Sequence, residues 1–284
     1  MGKNPRTTGK LCALARYGQR ITVLSRVRRR YIVDNSVLIY EGPSPCGHQD
    51  IIVIASGLKN GSTNDKTGNM VQIYILLRNV HPLEAIKQGL DKAICGDCPL
   101  RGNGCYVNVA FAASMLWKTY QKGKIKKIAY TLRHVVDGAP WELITLLQKK
   151  SIPIRFGAYG DPAMIPYSIV TALLDYLKGN NIGHTSYTHQ WMEPWFDERH
   201  LEYSMASVDH TNTVEKLRAI HPNARYYRIA QEGETQLASD EIWCPSDKND
   251  RVDGKGSPRK VVCASCRLCS GTSKQAKNIV IREE

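Results

Sequence analysis

IPIRFGAYGDPAMIPYSIVTALLDYLKGNNIGHTSYTHQ, residues 152–190, is the stretch whose reading decides the fold. Residues 152–159 read as a strand that stops at Gly160, and residues 165–178 as a helix closed by Gly179. Residues 184–188 read as the next strand. Strand, helix and strand in this order form a βαβ unit, whose parallel strands are joined by a right-handed crossover.

The same rhythm extends outward. Residues 107–121 place Val109, Ala112, Ala113, Leu116, Trp117 and Tyr120 at helical spacing. Residues 127–132 suit a strand, and 140–150 a helix with Pro140 near its start. Downstream lie strands at 203–208 and 224–229, with a helix between them that Asn212 caps and that runs through Ile220. Ala93-Ile94 suits the end of an earlier strand. About six strands, most followed by a helix, predict an α/β fold: a partial (β/α)6 barrel, open or closed, with its chemistry at the C-terminal strand ends. Upstream, residues 37–40, 51–55 and 70–77 read as three strands, the first broken by Gly42, Pro43 and Pro45, with a polar loop at 57–68. A short helix at 82–90 follows. The expected organisation is a basic arm at 1–34, a small β unit at 35–90, the barrel at 91–240, and a cysteine-rich metal-binding segment at 241–284.

The chain has 284 residues, 42% hydrophobic and 23% charged, enough for a sizeable core. It holds no apolar run near the roughly 18 residues of a membrane span. The charged N-terminus lacks the apolar stretch of a signal peptide. The expectation is a cytoplasmic protein in a reducing compartment, without a membrane partner. Of the net charge of +13, +8 falls within residues 1–34. Such an arm suits contact with nucleic-acid phosphates, and equally a solvated tail.

Clustered cysteines in a reducing compartment point to metal rather than disulfides. Cys95 and Cys98 form a CxxC turn, and Cys105 follows six residues later. Three thiolates leave one coordination position open for a cofactor or substrate; alternatively, a distant His or Cys closes a zinc site. Cys263, Cys266 and Cys269 form CxxCxxC, and Cys244 makes a fourth thiolate, enough to close an iron–sulfur cluster or a zinc site. The run resembles ferredoxin-type spacing more than zinc ribbons. Cys12 and Cys46 stand alone and read as small buried residues.

Three further segments sit at strand ends. In RFGAYGDP, Gly157 and Gly160 suit close approach of a ligand or a tight turn, and Asp161 offers a carboxylate beside Tyr159. In HTSYTHQ, alternation puts His184, Ser186 and Thr188 on one face and Thr185, Tyr187 and His189 on the other, with His189 and Gln190 at the strand end; polar residues of this kind also serve structure. In SMASVD, Asp209 ends a strand or caps the next helix.

Taken together, these features resemble the radical S-adenosylmethionine superfamily and, more closely, a phage-encoded cysteine-rich family related to it. The resemblance is carried by NDKTGNMVQIYIL (64–76), ICGDCPLRGNGCYVNVA (94–110), GAYGDP, SMASVD and CASCRLCSGTSKQAKNIVI (263–281). It covers residues 36–284. It departs from the superfamily in spacing, CxxCx6C in place of CxxxCxxC, and in Asp161 where a Glu is usual. It implies a [4Fe–4S] cluster on Cys95, Cys98 and Cys105, S-adenosylmethionine bound near Gly157, Gly160 and Asp161, and a second cluster on Cys244, Cys263, Cys266 and Cys269. Tyr159, Asp161, His189, Gln190 and Asp209 would line the barrel mouth. The setting would be the cytoplasm of an infected host cell. The expected function is a radical enzyme. The alternatives are a nucleic-acid-binding protein with structural zinc or iron–sulfur sites, and a redox or interaction protein without catalysis.

Overall fold

A computed structural model describes residues 35–62, 64–102, 105, 107–127, 151–209, 211–247, 261–271 and 276–282. They belong to one compact unit, Val33–Glu284. The basic arm, the helix expected at 140–150 and most of the strand expected at 127–132 lie outside the described residues.

The first sheet begins with β1 (Ser36–Pro43), β2 (Asp50–Ser56) and β3 (Val71–Leu77), each antiparallel to the next. Ile51 to Ala55 of β2 are all buried, as a near-continuous apolar run in a sheet covered on both faces requires. β1 is longer than expected: Gly42 and Pro43 still pair with Ile51 and Asp50. Proline costs the ladder little at a strand end. β4 (Lys126–Lys127) adds to β1, while β5 (Ile154–Tyr159) and β6 (His184–Thr185) add in parallel beyond β3. The three N-terminal strands therefore share a sheet with β5.

The chain leaves β6 through one residue, Ser186, and enters β7 (Tyr187–Thr188), the edge of a second sheet. Ser186 is fully buried. Its amide donates to the Cys269 carbonyl (3.0 Å) and its carbonyl accepts from the Met205 amide (2.9 Å). The strand expected at 184–188 is thus two strands in two sheets, and the break removes the simple alternation of faces: Thr185, Ser186 and Thr188 are all buried. β8 (Met205–Val208), β9 (Tyr226–Ile229), β10 (Glu241–Trp243) and β11 (Asn278–Ile281) complete the second sheet in the order β10-β11-β9-β8-β7, all parallel. β10 and β11 have only three and four residues, too few for a periodic signal, and β11 inserts between β9 and β10. The fold is mixed α/β with mostly parallel strands, and neither sheet closes into a barrel.

Helices pack against these sheets. α1 (Pro82–Lys87) starts with His81 Nδ1 accepting from the Leu83 amide. α2 (Lys92–Cys95) contains Ala93 and Ile94, which the sequence reading gave to a strand. A two-residue apolar pair has no period, and here Cys95 N bonds to Asp91 O in helical fashion (2.8 Å). α3 (Ala112–Gln121) begins five residues later than expected and reaches back over the end of β3, with Trp117 Nε1 donating to Leu77 O (3.0 Å) and Gln121 Nε2 to Arg78 O (2.7 Å). α4 (Tyr167–Gly179) joins β5 to β6 and packs Val170, Leu173, Leu174 and Leu177 into the main core. α5 (Thr211–Ile220) joins β8 to β9 and covers one face of the second sheet through Val214 and Leu217. It starts before Asn212, so Asn212 is not its cap. α6 (Cys263–Cys266) is one turn within the C-terminal cysteine run.

Candidate metal centres

The first site grows from the end of β5. Gly160, at φ +81°, lies so close to β3 that a Cβ would stand 2.7 Å from Ile75 Cβ and 2.8 Å from its carbonyl oxygen. Only glycine tolerates both the angle and the contact. The space beside Gly157 is likewise filled by Pro162 and the Gly160 carbonyl, as a tight turn requires.

Asp161 then joins three segments. Its Oδ1 accepts from the Ala163 amide (2.9 Å), and its Oδ2 accepts from the His189 amide (2.9 Å) and Gln190 Nε2 (3.4 Å). Its own amide donates to Ile94 O (2.7 Å), one residue before the first cysteine. Burial pushes the Asp161 carboxyl upward, while the Ala163 and His189 amides act against that rise. The carboxylate ties the end of β5 to the segment that follows β7, and the Asp161 backbone amide ties it to α2.

Gln190 is fully buried, and its Nε2 also donates to Cys95 O (2.9 Å). Gly96, at φ +57°, lies flat against its amide: a Cβ there would fall 1.8 Å from Gln190 Oε1. Arg101 braces the loop from the other side, with Nη1 donating to Gly96 O (2.9 Å) and Nε 3.4 Å from Asp91 Oδ1. Neither Asp91 nor Arg101 stood out in the sequence; each is an ordinary charged residue until the loop folds.

Cys95, Cys98 and Cys105 lie within electrostatic reach of one another. Burial raises Cys95 well above an ordinary thiol, and Asp91, Cys98, Asp161 and Cys105 add to the rise. Burial also raises Cys105, which Cys98 and Asp91 reinforce. His189 reaches the Cys98 sulfur, and its Nε2 lies 3.5 Å from Asp209 Oδ1. Burial alone would lower the imidazole's pKa; hydrogen bonds to Asp209 and Cys98 outweigh it and lift the group to about 10. Tyr159 is buried with its hydroxyl raised by burial and then by Cys95, Asp91 and Cys105. Of the five residues expected at the strand ends, Tyr159, Asp161, His189 and Gln190 neighbour the first cysteine loop, and Asp209 meets it through His189.

Two polar atoms here have no partner among the described residues: Tyr159 Oη and Gln190 Oε1 are among the buried side-chain atoms without a hydrogen bond. Buried polar groups are almost always satisfied, so such atoms call for an explanation at the site.

The second site lies on the opposite face of the second sheet from α5, where Met205, Ile279 and Ile281 pack with Cys244 and Cys269. Every pair among Cys244, Cys263, Cys266 and Cys269 interacts electrostatically. Burial lifts Cys244 to about 11 and Cys269 to about 12, although Tyr187 hydrogen-bonds to Cys269. The four thiols, Thr185, Tyr187 and Ser246 line one small pocket. α6 is docked on the loop before β3 by Cys263 N to Lys66 O (3.1 Å) and Ala264 N to Thr67 O (2.9 Å). Arg225, buried, fastens the other end: its Nη1 donates to Leu268 O (2.8 Å) and Gly271 O (2.9 Å), and its Nη2 to Lys277 O. Sequence reading gave Arg225 and Tyr187 no role at this centre; their partners here lie in the 268–277 segment, far away in sequence. Cys46 is partly buried, with Ser44 Oγ 3.1 Å from its sulfur.

As placed, no group of three or more His, Cys, Asp or Glu side chains among the described residues converges on a common metal position. Among these residues no helix is long and apolar enough to cross a membrane. No family model, curated protein or solved structure matches the chain.

Proposed function

We propose that the chain is an iron–sulfur protein with two centres, the first serving a radical-SAM-like reaction and the second holding the C-terminal segment in place. One observation carries the reading: a three-thiol loop lies over the C-terminal ends of parallel strands, beside two buried polar atoms without partners among the described residues, Tyr159 Oη and Gln190 Oε1. The residues fit the group in donor chemistry. Thiolates are the preferred ligands of iron–sulfur clusters, and three of them leave an open position. On this reading the run β3, β5, β6 with β7, β8, β9 and β11 is an open relative of the radical SAM barrel. Loading would require the loop to draw the exposed Cys105 inward.

Cys95, Cys98 and Cys105 would hold the first [4Fe–4S] cluster, which with S-adenosylmethionine supplies one-electron cleavage and hydrogen abstraction. The chain's own part is positional. Asp161 holds the loop against the strand ends. Tyr159 Oη offers a hydrogen bond and Gln190 Oε1 accepts one, a pairing suited to a small zwitterionic ligand. Burial of Tyr159 and Gln190 keeps water from that side. Cys244, Cys263, Cys266 and Cys269 supply a closed set of four thiolates, zinc being the other metal they suit.

The deciding experiment is iron and sulfide analysis of anaerobically purified full-length protein, followed by EPR of the reduced form with S-adenosylmethionine. Iron with sulfide at both centres, and a spectrum that the cofactor alters only when Cys95, Cys98 and Cys105 are intact, is the expected result. Stoichiometric zinc without iron would refute it, and favour a structural metal protein that contacts nucleic acid through its basic arm.

A further inference from the structure

We infer that His189 is the fourth protein ligand of the first centre in its resting form, with Asp209 as the carboxylate that orients its ring. This rests on the reading that Cys95, Cys98 and Cys105 hold a metal centre, and is independent of the reaction performed there.

Three thiols leave the centre one ligand short, and imidazole is a common ligand for both zinc and iron. His189 is already beside the loop: its amide is fixed by Asp161, its ring interacts with the Cys98 side chain, and its Nε2 lies 3.5 Å from Asp209 Oδ1. A ligating histidine ordinarily gives its second ring nitrogen to a carboxylate, carbonyl or water, which sets ring orientation and tautomer. Asp209 stands where that partner is needed. The backbone fixes where the ring emerges: the His189 amide is held by Asp161 Oδ2 (2.9 Å) and the next amide by Thr188 Oγ1 (3.1 Å). With its side chain 19% exposed and that of Asp209 29% exposed, the ring has little room to turn toward water. On metal binding the thiol protons and one imidazole proton leave to solvent. The sulfurs and one ring nitrogen then donate electron pairs to the metal, and the other ring N–H stays on Asp209. A substrate or cofactor that needs the fourth position has to displace His189.

The test uses the full-length chain, loaded anaerobically with iron and sulfide and, separately, with Co²⁺, as wild type, His189→Ala, His189→Cys and Asp209→Asn. Pulsed EPR of the reduced cluster reads nitrogen coupling, and Co²⁺ absorption bands report sulfur and nitrogen donors. A nitrogen coupling present in wild type and lost in His189→Ala is expected. So are Co²⁺ bands that shift toward an all-thiolate pattern in His189→Cys, which also serves if His189→Ala fails to fold. Asp209→Asn should bind Co²⁺ about 10–100-fold more weakly. A loaded first centre, identified by iron lost in Cys98→Ser, without His189-dependent nitrogen coupling overturns the inference and leaves the cluster reading standing. If no iron enters at these cysteines, the cluster reading fails and Co²⁺ decides alone. Bands that depend on His189 then support the ligand; bands identical in wild type and His189→Ala overturn it.

Discussion

Replacing Gly96 with alanine tests whether the first cysteine loop is seated on Gln190. Gly96 sits at φ +57°, ψ −140°, a region almost confined to glycine, so any side chain there costs about 1–3 kcal/mol in backbone strain. The added Cβ would fall 1.8 Å from Gln190 Oε1 and 2.6 Å from Nε2, so the amide must move. Moving it breaks the Nε2 bond to Cys95 O in a fully buried position, at a further cost of about 1–3 kcal/mol. Gly102, at φ +79°, has no described residue within 4 Å of its Cβ position, so Gly102→Ala should show a backbone cost alone. Urea denaturation of the full chain reads both, and Gly96→Ala repeated in a Gln190→Ala background isolates the contact. The two substitutions should couple by about 1–3 kcal/mol, because without the amide the new methyl group has space. Additive costs, within about 0.5 kcal/mol, would refute the seating of the loop on Gln190.

Arg225→Lys should destabilise the chain by about 3 kcal/mol or more, since an ammonium cannot span the carbonyls of Leu268, Gly271 and Lys277; hydrogen exchange should rise at residues 268–271, and unchanged exchange there would count against the staple. His184 and His200 are each held down to about 4 by burial, so in the folded chain they take up protons only below the unfolded value of 6.5. Their contribution is complete above about pH 6.5 and is lost as pH falls toward 4, by roughly 3 kcal/mol apiece at most; a urea midpoint that stays flat across that window would contradict it. Cys266→Ser should lower yield and melting temperature, because that thiol belongs to a buried group tying α6 to two other segments. Cys98→Ser should remove metal at the first site and leave the fold close to intact; the reverse order of effects in thermal melts would exchange the roles of the two centres.

Much of the site was legible before any coordinates. Tyr159, Asp161, His189, Gln190 and Asp209 were placed at strand ends by local pattern, and parallel strands bring such ends to one edge. The strand–helix–strand period of residues 152–190 is likewise local and carries over into β5, α4 and β6. The spacing of the seven clustered cysteines identified two thiol groups, since a CxxC turn points neighbouring sulfurs the same way whatever surrounds it. Tertiary structure decided the division of labour among these residues. Both Asp161 oxygens are engaged in local and cross-segment hydrogen bonds, while Tyr159 and Gln190 present buried atoms without a hydrogen bond among the described residues. It also split one expected strand at Ser186, turned Ala93 and Ile94 into a helix, and set β11 between β9 and β10. The split at Ser186 and the place of β11 depend on which distant backbone supplies a hydrogen-bond partner, whereas the turn of helix at Ala93-Ile94 closes on local carbonyls. Strands of two to four residues have too little period to declare themselves, and their register is a property of their neighbours.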